Sequence, residues 1–153
     1  MKRITKLLLA ALVCCALLTA YACCTKKNMV NSITQVPYNP VRNYFFNNDA
    51  KIPAQPKVTT QKAFDRLFGA AAFMGKDGEP TKIDFAKQFV IAVVLPETDT
   101  ETDIQPVRLT LTPAGLHFTY RVRRGQKMSS YMQPLLLVAV DKKYETSQVT
   151  ISE

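Results

Sequence analysis

Residues 88–95 read Gln-Phe-Val-Ile-Ala-Val-Val-Leu, an apolar run rich in β-branched side chains. A run without alternation predicts a strand covered on both faces. Residues 134–141, Pro-Leu-Leu-Leu-Val-Ala-Val-Asp, predict a second one. Two segments between them alternate instead. Val107, Leu109 and Leu111 share one face of residues 106–112, and Leu116, Phe118, Tyr120 and Val122 share one face of residues 115–123. Pro113 and Ala114 separate the two segments, which predicts a hairpin with a short turn. Gly125 and Gln126 are expected to interrupt the second strand. Residues 129–132 would pair briefly, and residues 147–152 alternate as a closing edge strand.

The helical period occurs once. Phe64, Leu67, Phe68 and Ala71 fall at i, i+3, i+4 and i+7, which places them on one helical face. Thr59 or Thr60 caps the start, since a hydroxyl can accept from the free amides of the first turn. The helix is expected to end by Gly75, with residues 75–80 forming a loop. Residues 84–87 suit one capped turn. One helix and five or six mostly antiparallel strands make an α+β domain, the helix packed on a curled sheet or small barrel.

The N-terminus has another character. Met1 to Lys6 carries three cations and no anion, Leu7 to Ala20 is uncharged, and Ala20-Tyr21-Ala22 places small residues at alternate positions. This is the pattern of a secretory signal peptide, residues 1–22. A membrane-spanning helix would need about 20 predominantly apolar residues, and the end of this stretch is Thr, Ala, Tyr and Cys. Cleavage after Ala22 exposes Cys23, an arrangement that resembles the bacterial lipobox. Cys23 is therefore the expected lipidation site and membrane anchor. Ala20 stands where a branched aliphatic residue is usual, so ordinary cleavage that leaves a free Cys23 is the other reading. Two or more acyl chains hold a protein firmly, each buried methylene contributing about 0.8 kcal/mol. Lys26 and Lys27 would lie near anionic head groups.

No cysteine follows Cys24. The folded domain then has no disulfide and no cysteine metal ligand, and must be held by its own core. Residues 23–58 are expected to be anchor and extended tether, because Pro37, Pro40, Pro53 and Pro56 oppose a long helix. Within them, Tyr44, Phe45 and Phe46 form either a short strand or clamp across the domain, or an exposed aromatic binding segment. Residues 59–153 would be the domain. The formal net charge is +8; loss of Lys2, Arg3 and Lys6 leaves 8 − 3 = 5. Apart from Arg121, Arg123 and Arg124 the cations are interspersed with acids, so a nucleic-acid partner is not expected.

Catalytic candidates are few. His117 is the single histidine and sits at an outward strand position without a sequence-local partner. Glu97, Asp99, Glu101 and Asp103 resemble a cation-binding loop only in number. Ile104 occupies the place where a calcium loop needs glycine, so a solvated acidic loop is expected. Ser129 and Ser130 beside Lys127 are read as exposed polar residues. No nucleophile-elbow, zinc-protease, phosphate-loop or dinucleotide pattern is present. The inventory predicts no enzyme, no cofactor and no metal.

The order of "FDRLFG", "PTKIDFAKQFVIAVVLPET" and "QPLLLVAVDK" resembles the PrcB-type domain. That domain occurs in a lipoprotein subunit of a spirochaete surface-protease complex and in many bacterial envelope proteins. The likeness spans residues 64–143 and rests on Asp84, Phe85, Val90, Ala92, Val93, Pro134, Leu135, Ala139 and Val140, mostly core and capping types. Such domains often carry a glycine-rich stretch after the first buried strand. Here it is "PETDTETD", so no role of that stretch transfers. The leader and Asn-rich start look like those of Bacteroidetes lipoproteins. Absence of an acidic run after Cys23 favours the periplasmic side of the outer membrane. The layout is also similar to that of the potempins, small barrel lipoproteins that inhibit secreted proteases, without a diagnostic motif for them. The resemblance implies a non-enzymatic envelope lipoprotein with a protein partner, as subunit or inhibitor of an exported protease. Contacts would come from loops 95–105 and 123–131, or from segment 38–56 adding to a partner's strand. The alternative is a small-ligand carrier or sensor with an apolar pocket inside the barrel.

Overall fold

The computed structural model describes residues 33–153. The leader, Cys23 and the lysines at 26 and 27 lie outside the described residues. The elements are β1 (Thr34–Gln35), β2 (Tyr38–Val41), β3 (Tyr44–Phe46), β4 (Lys57–Val58), α1 (Gln61–Leu67), β5 (Phe68–Ala70), β6 (Gln88–Val94), β7 (Thr98–Thr112), β8 (Gly115–Met132), β9 (Leu135–Asp141), a 3-10 turn (Lys142–Tyr144) and β10 (Val149–Ser152).

The two apolar runs are β6 and β9, antiparallel from Gln88 opposite Asp141 to Val94 opposite Leu135. They are the inner strands of a sheet ordered β2-β9-β6-β4. Successive strand side chains point to opposite faces, and the two faces enter two separate cores. Phe89, Ile91 and Val93 with Leu136, Val138 and Val140 meet Ile104, Leu109, Leu116 and Phe118 of a second sheet, β1-β7-β8-β10. Val90, Ala92, Leu137 and Ala139 meet Phe46, Phe64, Leu67 and Phe68, which belong to α1 and the small sheet β3-β5. The described unit is thus three layers deep, with β6 and β9 in the middle. The expectation that both strands are covered on both faces holds.

Other expectations are corrected. The domain is α+β, but it has ten short and long strands rather than five or six, and its sheets are open rather than closed into a barrel. The additional strands come from the segment expected to be a tether. β1 pairs with β7, β2 with β9, β3 with β5 and β4 with β6. Proline did not prevent this, because each strand is short and at a sheet edge, where proline is tolerated. Val36 is buried between the layers and its amide donates to the Leu109 carbonyl at 2.8 Å. The division at residue 58 therefore does not separate a free tether from the folded part; among the described residues pairing begins at Thr34.

The aromatic triplet is a clamp. Tyr44 meets Phe64 edge-on at 5.0 Å and Phe46 meets Phe68 at 5.9 Å. Tyr44 Oη donates to the Thr81 carbonyl at 2.9 Å. Burial, and secondarily the Asp65 carboxylate, raises its pKa above the usual phenol value. Phe45 lies on the other side of the strand with its ring over Gly69, the residue opposite it.

Helix α1 starts as expected, with Thr60 Oγ1 accepting from the Ala63 amide at 3.2 Å, but ends at Leu67 rather than near Gly75. Phe68–Ala70 is taken by pairing with β3. Asn47 closes the helix: its amide donates to Leu67 O at 2.9 Å and its Nδ2 to Arg66 O at 3.1 Å, satisfying carbonyls that a helix end leaves unpaired. The turn at residues 84–87 forms, with the Gln88 amide donating to Asp84 O at 2.8 Å.

The β7–β8 hairpin turns through Pro113 and Ala114 as expected. Proline cannot take the positive φ of the tightest hairpin turns, so the left-handed position falls on Gly115, at φ 126°. A Cβ there would also collide with the Gln148 carbonyl, whose oxygen accepts from the Leu116 amide at 2.8 Å. Strict alternation fails once. Val107 is 45% exposed although Leu109 is fully buried. The register steps from Pro106 opposite Tyr120 to Arg108 opposite Thr119, so Val107 is the extra residue of a β-bulge. The bulge lets Ile104 and Leu109, an odd number of residues apart, face the same core.

Truncating the middle layer should be costly and truncating the bulge should not. Ile91→Ala should lose about 2–5 kcal/mol of unfolding free energy, and Val107→Ala less than about 0.5 kcal/mol. Urea unfolding of the two variants checks this, and equal losses would contradict the layer assignment.

Candidate functional site

The residues expected to form loop 95–105 are mostly strand. Thr98, Thr100 and Thr102 alternate with Asp99, Glu101 and Asp103 along the first half of β7. Threonine favours an extended, half-buried position, and Thr102 is buried. The acids are exposed or partly exposed on the other face, opposite the cations of β8. Asp103 pairs in register with Arg123, and Lys127 Nζ lies 3.1 Å from Asp99 Oδ2. Glu101 reaches over Gly125, where any larger residue would strike its carboxylate. The expected interruption at Gly125 and Gln126 is instead an irregularity within one continuous strand of 18 residues. Opposite charge across the ribbon overrides the turn preference of glycine.

β7 and β8 contain 15 and 18 residues, against seven each in β6 and β9. At about 3.3 Å per residue the ribbon is roughly twice as long as the middle layer. β1 pairs only near Leu111, and β10 covers β8 only from Leu116 to Thr119. From Tyr120 to Met132 the outer edge of β8 has no strand beside it among the described residues. Residues 123–131 are exposed apart from the partly covered Met128, and Tyr131 is 70% exposed. The guanidinium groups of Arg121, Arg123 and Arg124 are in no ion pair within 4.0 Å with a described residue.

The opposite edge is guarded. β7 contains Pro106 followed by the bulge at Val107, and a strand tolerates proline only where its missing amide faces away from a partner. β8 contains no proline.

The catalytic candidates have structural partners. His117 Nδ1 is hydrogen-bonded to Thr150 Oγ1 at 3.0 Å and Nε2 to Ser152 Oγ at 3.0 Å. Both hydroxyls belong to β10, which runs parallel to β8. The imidazole therefore stitches the last strand onto the sheet. Ser152 is a hydroxyl partner that the sequence did not signal, 35 residues away. A hydroxyl rather than a carboxylate occupies the orienting position of this pair. Among the described residues no three His, Cys, Asp or Glu side chains converge to hold a metal ion. Lys127 is engaged by Asp99, while Ser129 and Ser130 are exposed.

Segment 38–56 is not the free extended segment expected: β2 and β3 are each paired along one edge, and residues 47–53 wall a surface cleft of about 720 Å³ with Phe45, Arg66 and Leu67. The space between the two large sheets is filled: Phe89, Ile91, Leu109 and Phe118 have no exposed surface. Among the described residues no helix is long and apolar enough to cross a membrane.

Compared with known proteins, the chain matches no family model, no curated protein and no solved structure.

Proposed function

We propose that this chain is a non-enzymatic envelope lipoprotein that binds another protein through the β7–β8 ribbon, as subunit or inhibitor of an exported protease. The observation that carries the reading is the ribbon itself. It outruns the layers that stabilise the fold and leaves one strand edge open, with three arginines and Tyr131 around it. An open edge presents unpaired amides and carbonyls to another chain, and strand addition is a common mode of peptide recognition. Tyrosine and arginine are the side chains that most often dominate such contacts.

The protease clause rests on the likeness of residues 64–143 to the PrcB-type domain. The anchor rests on Cys23 behind an apolar leader, and the periplasmic side of the outer membrane on the lack of acids after that cysteine. A small-ligand carrier would need an apolar chamber between the sheets, and aromatic side chains occupy that space.

Anchoring predicts that Cys23→Ser abolishes incorporation of labelled palmitate and moves the protein from the detergent phase to the aqueous phase. Unchanged partitioning would contradict the anchor. Binding through the ribbon predicts that a photo-crosslinking residue in place of Tyr131, in cells that naturally make the protein, yields an adduct of one discrete mass. The same residue in place of Lys62, exposed on α1, should give none. Identical adducts from both positions, or none from Tyr131, would contradict it.

A further inference from the structure

The open edge of β8 has a chemical character that narrows the partner, if the protein-binding reading above is right. We infer that it accepts an extended segment of another protein in which acidic residues stand at alternate positions, acid–apolar–acid, opposite Arg121, Val122 and Arg123.

The template lies in the fold. On its inner edge β8 already pairs with Asp103, Ile104 and Gln105, which stand opposite Arg123, Val122 and Arg121, so an acid and an apolar residue occupy two of the three positions. Arg121 and Arg123 share the face of Asp103, by the two-residue period of a strand. Their guanidinium groups take no carboxylate of the described residues within 4.0 Å. Each therefore retains donors for a second strand on the outer side. Val122, on the opposite face, is partly buried and lies opposite Ile104, so the residue between the two acids would meet an apolar neighbour.

Charge also excludes the simplest competitor. Two copies joined β8 to β8 would bring arginines directly opposite arginines, which destabilises strand pairing. A second copy's β7 has acids, but Pro106 and the bulge at Val107 interrupt its outer edge. Edge cations on a strand commonly keep like strands apart. Here the same cations select an acidic one.

The test uses the full chain in mild detergent and three kinds of labelled nine-residue peptide, followed by fluorescence anisotropy. The first alternates Thr or Val with Asp or Glu. The second has the same composition with all acids at one end. The third is the first with N-methyl groups on alternate amides, along one edge or the other. The first peptide should bind, weakening as salt is raised. The second, and the N-methyl isomer blocked toward β8, should each bind at least about tenfold more weakly, as should the first peptide to the Arg121→Glu/Arg123→Glu variant. Equal binding of all peptides would mean charge attraction without strand addition and would overturn the inference. So would undiminished binding by the double variant, concentration-dependent self-association of the chain that the double variant abolishes, or no binding of the first peptide. If Tyr131 still crosslinks to one protein while the peptides fail, the protein-binding reading stands and only the acidic-strand inference falls.

Discussion

Every other element is arranged around a pair of strands that must be covered twice. β6 and β9 are apolar at consecutive positions, so neither face of their ladder can meet water. At about 25 cal/mol per Å² of buried apolar surface, leaving either face open would remove a large part of a stability that is itself small. One face is covered by the long hairpin and β10. The other is covered by α1 and the β3–β5 pair, drawn from the chain before β6. That second requirement explains why the proline- and asparagine-containing segment is folded in. The helix alone, at seven residues, is too short to cover the face, and the aromatic clamp of Tyr44 and Phe46 completes it.

The hairpin obeys a different rule over its second half. Near its turn it is a layer of the core, built on Leu109, Leu116 and Phe118. Beyond the bulge it is held increasingly by Thr102, Ile104 and pairing of opposite charge, and then projects past what the core needs. Length beyond structural need, one guarded edge and one open edge are the features on which the proposed protein-binding role rests. Reactive side chains, in contrast, are absorbed by the scaffold. His117 and both of its hydroxyl partners fasten β10, Lys127 faces Asp99, and Glu101 lies across Gly125.

The legible parts of the sequence were those where one physical signal acted alone. Continuous apolar runs gave β6 and β9, alternation gave the hairpin, and Thr60 marked the start of α1. Errors arose where two signals competed. Residues 97–103 carry both the charge of a loop and the threonine alternation of a strand, and the decisive factor, Arg123 and Lys127 opposite the acids, lies twenty or more residues away. Gly125 looked like a break because the carboxylate that crosses it is equally remote. The early end of α1 depends on Asn47, far from the helix in sequence, and the exposure of Val107 on a bulge that no local pattern marks. The open edge of β8 was illegible for the same reason: an edge is defined by which strands fail to pair with it.

Native-state hydrogen exchange resolved residue by residue tests most directly whether a doubly covered middle layer supports a hairpin with one free edge. Amides of Gln88–Val94 and Leu135–Asp141 should exchange only with global unfolding. In β8, amides directed toward β7 should be protected, while the alternate amides of residues 120–131 should exchange orders of magnitude faster. Uniformly slow exchange along both edges of β8, or fast exchange in β6, would contradict this architecture and the binding surface drawn from it.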